Sequence, residues 1–109
     1  MQFTSKFQSP EVINDERPGA SHDVYSFGMA MCAVVNASYD DVWCGLKLSR
    51  RKMEDKILEG GRPRLDETRA NSAPEGYIEL MKKCWHSEKD KRPRMTEVRR
   101  ALEVMLNKM

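Results

Sequence analysis

The chain has almost no net charge, no long apolar span and no alternating strand pattern, and each absence narrows what it can be. Its 109 residues carry 19 Lys and Arg against 17 Asp and Glu, a net charge of +2 with the two signs interspersed. That balance argues against a nucleic-acid or anionic-membrane partner. No charge appears from Val24 to Val35, but this apolar run is far shorter than the roughly 20 apolar residues that span a bilayer. Cysteine is scarce and odd in number (Cys32, Cys44 and Cys84), and no apolar leader stands at the N-terminus. A reducing, cytoplasmic setting is the expectation. A single domain of this length should bury roughly two-thirds of its unfolded surface, so one core is within reach without disulfide staples.

What is present is helical. Pro10, Pro18 and Gly19 break up residues 1–20, leaving room for a short turn of helix after Pro10. Ser21 is a good N-cap and Asp23 places an anion in the following first turn, so a helix is expected over 21–36. This stretch is apolar on every side, which predicts the central helix of the fold, where a charge at Val34 would be severe. Residues 37–48 read as loop. A second helix is expected over 49–60, with Met53 and Ile57 on one face. A third is expected over 73–85, because Ser72 and Glu75 have capping-box spacing. Along it Tyr77, Leu80, Met81 and Cys84 recur with helical period. The last is expected over 96–108, opened by Thr96, with Val98, Ala101, Leu102 and Met105 on the apolar face.

Three stretches in fixed order carry more than helix periodicity: FTSKFQSPEV (3–12), SHDVYSFGMAM (21–31), and GGRPRL (60–65) with CWHSEKDKRPRM (84–95). Together they resemble the second half of the large lobe of a protein kinase domain, in the tyrosine kinase and tyrosine-kinase-like branches. Ser9-Pro10-Glu11 matches the Ala-Pro-Glu that closes the family's activation segment, with Ser for Ala. Asp23 and Val24–Gly28 match the Asp-Val-Tyr-Ser-Phe-Gly signature. Cys84-Trp85 and Arg92-Pro93 match the family's Cys-Trp and Arg-Pro. The resemblance implies that Glu11 and Arg92 form an ion pair, for which a planar guanidinium is suited because it can grip a carboxylate with two hydrogen bonds. Pro10, Glu11, Asp23, Trp85 and Arg92 are thus the expected structural motif. Thr4, Lys6 and Phe7 fall where the family docks substrate, and Thr4 favours Ser/Thr over Tyr as the target. Thr4 and Ser5 are also candidate phosphorylation positions in a parent protein.

The resemblance also shows what this stretch does not contain. The glycines at 19, 28, 45, 60, 61 and 76 cannot be spaced as G-x-G-x-x-G. The strand lysine, the catalytic loop and the metal-binding Asp-Phe-Gly are missing as well. His22-Asp23 and Ser26-Phe27-Gly28 are false matches to those motifs. Residues 1–109 are therefore expected to be a partial kinase domain, from the end of the activation segment to the last helix, all-α, without small lobe or catalytic loop. This fits a truncated piece or a natural remnant equally. No catalytic, cofactor or metal residue is expected in the chain, and MgATP is implied only for a complete parent kinase. Cys84-x-His86 with Cys32 or Cys44 matches no zinc spacing, and Arg50-Arg51-Lys52 shares its helix with Glu54, Asp55 and Glu59. Two functions stay open. One is a segment of a protein kinase that acts as scaffold and substrate platform, partnered by the rest of the domain. The other is a helical module that docks another protein.

Overall fold

A computed structural model describes residues 8–37 and 49–108. Six α-helices and one 3-10 turn make up its regular structure, with no strand among the described residues. They are α1 (Pro10–Ile13), α2 (Ala20–Asn36), α3 (Arg50–Leu58), α4 (Glu67–Asn71), α5 (Tyr77–Cys84) and α6 (Met95–Asn107), with the 3-10 turn at Lys89–Lys91. The all-α class is the one read from the sequence.

Helix ends follow local chemistry, and here several expectations need correction. Helix α2 begins one residue before Ser21, with extended Gly19 at the N-cap, and Asp23 lies in its first turn. It closes at Ala37, which sits at φ 55 and returns its N–H to the Ala33 and Val34 carbonyls. The Asn36 side chain instead bridges to the segment before α4. Its amide donates to the Arg64 carbonyl at 3.0 Å and its oxygen accepts from the Asp66 N–H at 2.8 Å. Helix α3 starts as expected, the Ser49 hydroxyl accepting from the Lys52 N–H at 3.3 Å.

The Ser72/Glu75 capping box does not form. Ser72 ends the short α4, and its hydroxyl donates back to the Thr68 carbonyl. Gly76 at φ 87 then interrupts the path, so α5 starts at Tyr77 instead of residue 73. At α6 the helix begins at Met95, before Thr96, and Glu97 satisfies the Arg94 N–H at 3.0 Å.

Helix α2 is the centre of packing. Val24, Tyr25, Met29, Met31, Cys32 and Ala33 join Met53 and Ile57 of α3, Leu80, Met81, Cys84 and Trp85 at α5, and Val98 of α6 in one cluster. The crossing of α2 on α5 depends on Gly28, since a Cβ there would lie 2.8 Å from Cys84 Cβ and 3.1 Å from the Met81 carbonyl oxygen. Tyr77 ties the same two helices by donating its hydroxyl hydrogen to the Met31 carbonyl at 2.9 Å.

One part of the central-helix expectation fails. Val34 is 57% exposed, so α2 is not covered on every side and a charge at that position meets solvent. Val34 lies on the rim of a hollow shared with Thr68, Arg69 and Pro74. An apolar side chain shows what a helix can bury, but not which flank its neighbours will cover.

Candidate functional site

The most built feature of the molecule is a polar joint between α1, the start of α2 and the turn before α6. Pro10 occupies the first helical position of α1, where its missing N–H costs nothing, and Glu11 follows in the same turn. Arg92 lies in extended backbone just after the 3-10 turn. These two residues, 81 positions apart, meet in two parallel bonds: Arg92 Nη1 donates to Glu11 Oε2 at 2.7 Å and Nη2 to Oε1 at 2.9 Å. Arg92 Nη1 also donates to the Ser21 carbonyl at 3.0 Å, and Nε to the His86 carbonyl at 2.8 Å. The Arg92 side chain is fully buried and that of Glu11 is 8% exposed. Fork-to-carboxylate geometry, with two further guanidinium N–H groups bonded to carbonyls, is what makes such a buried pair tolerable.

Burial alone pushes the Glu11 carboxyl upward, but the hydrogen bonds and charge of Arg92 outweigh it and hold the pKa below the ordinary glutamate value. A lowered folded-state pKa means stability that is fully present above the unfolded glutamate pKa. It is lost as pH falls through the lower folded value. Chemical unfolding of the parent and of Glu11→Gln between pH 7 and pH 3 should therefore converge on the acid side. A constant gap across that range would show that the carboxylate charge is not what the pair uses.

A second tie runs beside the first. Ser9 Oγ lies 2.8 Å from His22 Nδ1, and His22 Nε2 lies 3.5 Å from Ser26 Oγ. Ser9 is fully buried, so its oxygen is closed to a substrate and the pair works as a tether. Sequence reading missed it. The only signal was Ser9 standing where the family pattern has Ala.

Tyr25 forms the floor of the joint. Its ring is flanked by Arg92, 5.0 Å from the ring centroid, and by Arg62, 5.1 Å away. Burial pushes the Tyr25 phenol up to about 12, against the opposing effect of the two guanidiniums. Arg62 was likewise missed, although it stands inside the GGRPRL stretch. Trp85 is buried and offers its carbonyl to Arg62 Nε at 2.9 Å. Asp23, by contrast, is exposed and is not part of the joint. Thr4, Ser5, Lys6, Phe7 and Cys44 lie outside the described residues. Burial raises the Cys84 thiol to about 11, so it is not a poised thiolate, and Cys32 is a buried free cysteine. His86 Nδ1 accepts from the Glu88 N–H at 2.9 Å.

Comparison with known proteins places the chain in a family. The family described as protein tyrosine and serine/threonine kinase matches residues 1–102. The chain belongs to that kinase family. A putative serine/threonine-protein kinase/receptor, R831 of Acanthamoeba polyphaga mimivirus, is 38% identical over 95 residues, which is 87% of this chain and 5% of the viral protein. Its relative R818 from the same virus is 35% identical over 103 residues, 94% of this chain and 6% of that protein. Cyclic GMP-binding protein C of Dictyostelium discoideum is 33% identical over 91 residues, 82% of this chain and 3% of that protein. The chain thus spans a small fraction of each of these relatives.

Membership of the kinase family implies MgATP for a complete kinase. No set of three or more His, Cys, Asp or Glu among the described residues could hold a metal ion. The stretches that resemble the kinase pattern in sequence are, in the structure, the Pro10-Glu11 turn, part of α2 and the turn from Trp85 to Arg92. No helix among the described residues is long and apolar enough to cross a membrane.

Proposed function

We propose that this chain is the helical scaffold and substrate-docking platform of a protein kinase large lobe, its parent activity being ATP-dependent phosphorylation of protein Ser or Thr. The observation that carries this reading is the buried two-bond grip of Arg92 on Glu11. It anchors the turn immediately downstream of Thr4, Lys6 and Phe7, the residues assigned to docking. Relatives bearing serine/threonine-kinase names favour Ser/Thr over Tyr. In this reading the residues of this chain bind and orient the protein substrate and the rest of the domain. Phosphoryl transfer needs the nucleotide-binding parts and is not performed by residues 1–109 alone. The odd number of cysteines, with Cys32 and Cys84 held as buried thiols, supports a reducing cytoplasmic setting.

Calorimetric titration of the chain with MgATP should give no saturable heat, and saturable micromolar binding confirmed by competition would overturn this division of labour. Reading the transcript upstream of Met1 tests the parent activity. A glycine-rich loop, strand lysine and catalytic loop in frame are the expected result. An in-frame stop immediately upstream would favour a second reading, a non-catalytic protein-docking module. One observation speaks for that alternative: an apolar groove on α6 formed by Phe27, Met95, Val98, Leu102 and Leu106.

A further inference from the structure

Two guanidiniums face the buried Tyr25 ring, yet among the described residues only one of them has a carboxylate. Arg92 discharges onto Glu11. Arg62 has no described ion pair, and its hydrogen bonds go to neutral acceptors: the carbonyls of Trp85 at 2.9 Å, Gly61 at 2.6 Å and Ile57 at 3.4 Å, and Ser87 Oγ at 3.0 Å. The charge of Arg62 is therefore held by oriented dipoles and by the π face of Tyr25. The Tyr25 hydroxyl has no hydrogen-bond partner among the described residues, so the ring contributes its face and not its phenol.

These acceptors belong to two places. Ile57 and Gly61 lie at the end of α3, while Trp85 and Ser87 flank His86, whose carbonyl receives Arg92 Nε at 2.8 Å. Arg62 therefore reaches Arg92 by two routes, through the shared ring and through the 85–87 turn.

We propose that Arg62 is a positioning residue for the docking platform: by fixing Tyr25 and the 85–87 turn it aims Arg92 at Glu11 and so decides how firmly α1 sits on the lobe. The inference rests on the platform reading above and goes beyond it in naming the residue that governs attachment of the docking end. Each guanidinium lies close enough to the Tyr25 ring, 5.1 Å and 5.0 Å from its centroid, to be attracted by its π system. A lysine at position 62 would keep the cation but could not serve the split acceptors at Trp85, Gly61 and Ser87 together.

Amide hydrogen exchange on the full chain tests this. The amides of Ile13, Asn14 and Glu16, which donate to the Ser9, Pro10 and Glu11 carbonyls, report attachment of α1. The amides of α5 report global opening. Arg62→Gln should speed exchange in α1 at least about tenfold relative to α5, as loss of a desolvated cation–π contact implies. Arg62→Lys should restore part of that protection. Tyr25→Phe should leave α1 exchange unchanged, because the π face remains. In a Tyr25→Leu background the ring route is gone, and Arg62→Gln should then change α1 less, by what the 85–87 turn alone carries. Equal acceleration of α1 and α5 in Arg62→Gln, or no change in α1, would overturn the proposal. If Arg62→Gln does not fold, Arg62→Lys with and without Tyr25→Leu makes the same comparison. The readout needs no substrate. A substrate peptide that fails to bind the parent chain would therefore sink the platform reading while leaving the exchange result standing.

Discussion

Replacing either Glu11 or Arg92 with Ala should cost about 3–5 kcal/mol of stability, because each change strands its partner as a buried unpaired charge. That is a large part of the roughly 5–15 kcal/mol that separates folded from unfolded domains. An exposed pair such as Arg99–Glu103, with side chains 79% and 58% exposed, is a useful control. Its loss should cost under about 1 kcal/mol. Arg92→Lys should also be damaging, since one ammonium cannot serve both Glu11 oxygens and the Ser21 and His86 carbonyls at once. The double change should be milder than the sum of the singles, because it removes both buried charges together. Urea unfolding of the parent, the two singles and the double decides it. Small, strictly additive effects would show that the pair contributes nothing as a unit.

Gly28→Ala should destabilise even though alanine is the better helix former. Propensity alone favours Ala over Gly in a helix interior by about 1 kcal/mol. Against it stands a Cβ placed 2.8 Å from Cys84 Cβ, 3.1 Å from the Met81 oxygen and 3.2 Å from the Trp85 nitrogen. None of these is the far end of a flexible side chain, so α2 and α5 must move apart. Overpacking of this kind costs about 1–3 kcal/mol, enough to reverse the sign. In a Cys84→Gly background, Gly28→Ala should cost less than it does in the parent, because the closest atom is gone. Thermal unfolding reads the sign directly, and a stabilised Gly28→Ala would mean that the two helices do not cross this closely.

The features that were legible in the sequence have strong local or chemical signatures. Helix α2 announced itself by a charge-free run long enough for several turns. Helices α3, α5 and α6 were legible from apolar residues at helical spacing. Glu11 and Arg92 were singled out because Ser-Pro-Glu and Arg-Pro are distinctive, although nothing local relates two residues 81 positions apart. Other features had no such signal. Helix α4 has five residues, too few to show a period, and its Asp66 cap reads equally well as a turn. Ser72 and Glu75 have the right spacing for a cap, but the left-handed Gly76 that follows was decisive and glycine alone does not reveal its φ. Val34 looked buried because the exposure of a helix flank is set by distant segments. Arg62 looked like any loop arginine, since its importance comes from carbonyls that converge only after α3 and α5 have packed.

Helix α6 sits differently from the rest. Of its 13 residues only Val98 is fully buried, and Val104 and Leu106 are 52% and 69% exposed. Its exposed Arg99 and Arg100 are also the residue type that trypsin-like proteases cleave. With Val98 as its one fully buried residue, α6 is expected to open at a lower free energy than the α2–α5 crossing. Cleavage that is slow compared with reclosing follows the population of the opened form. Among the described helices, α6 is therefore the one where trypsin cleavage is expected to report partial opening first.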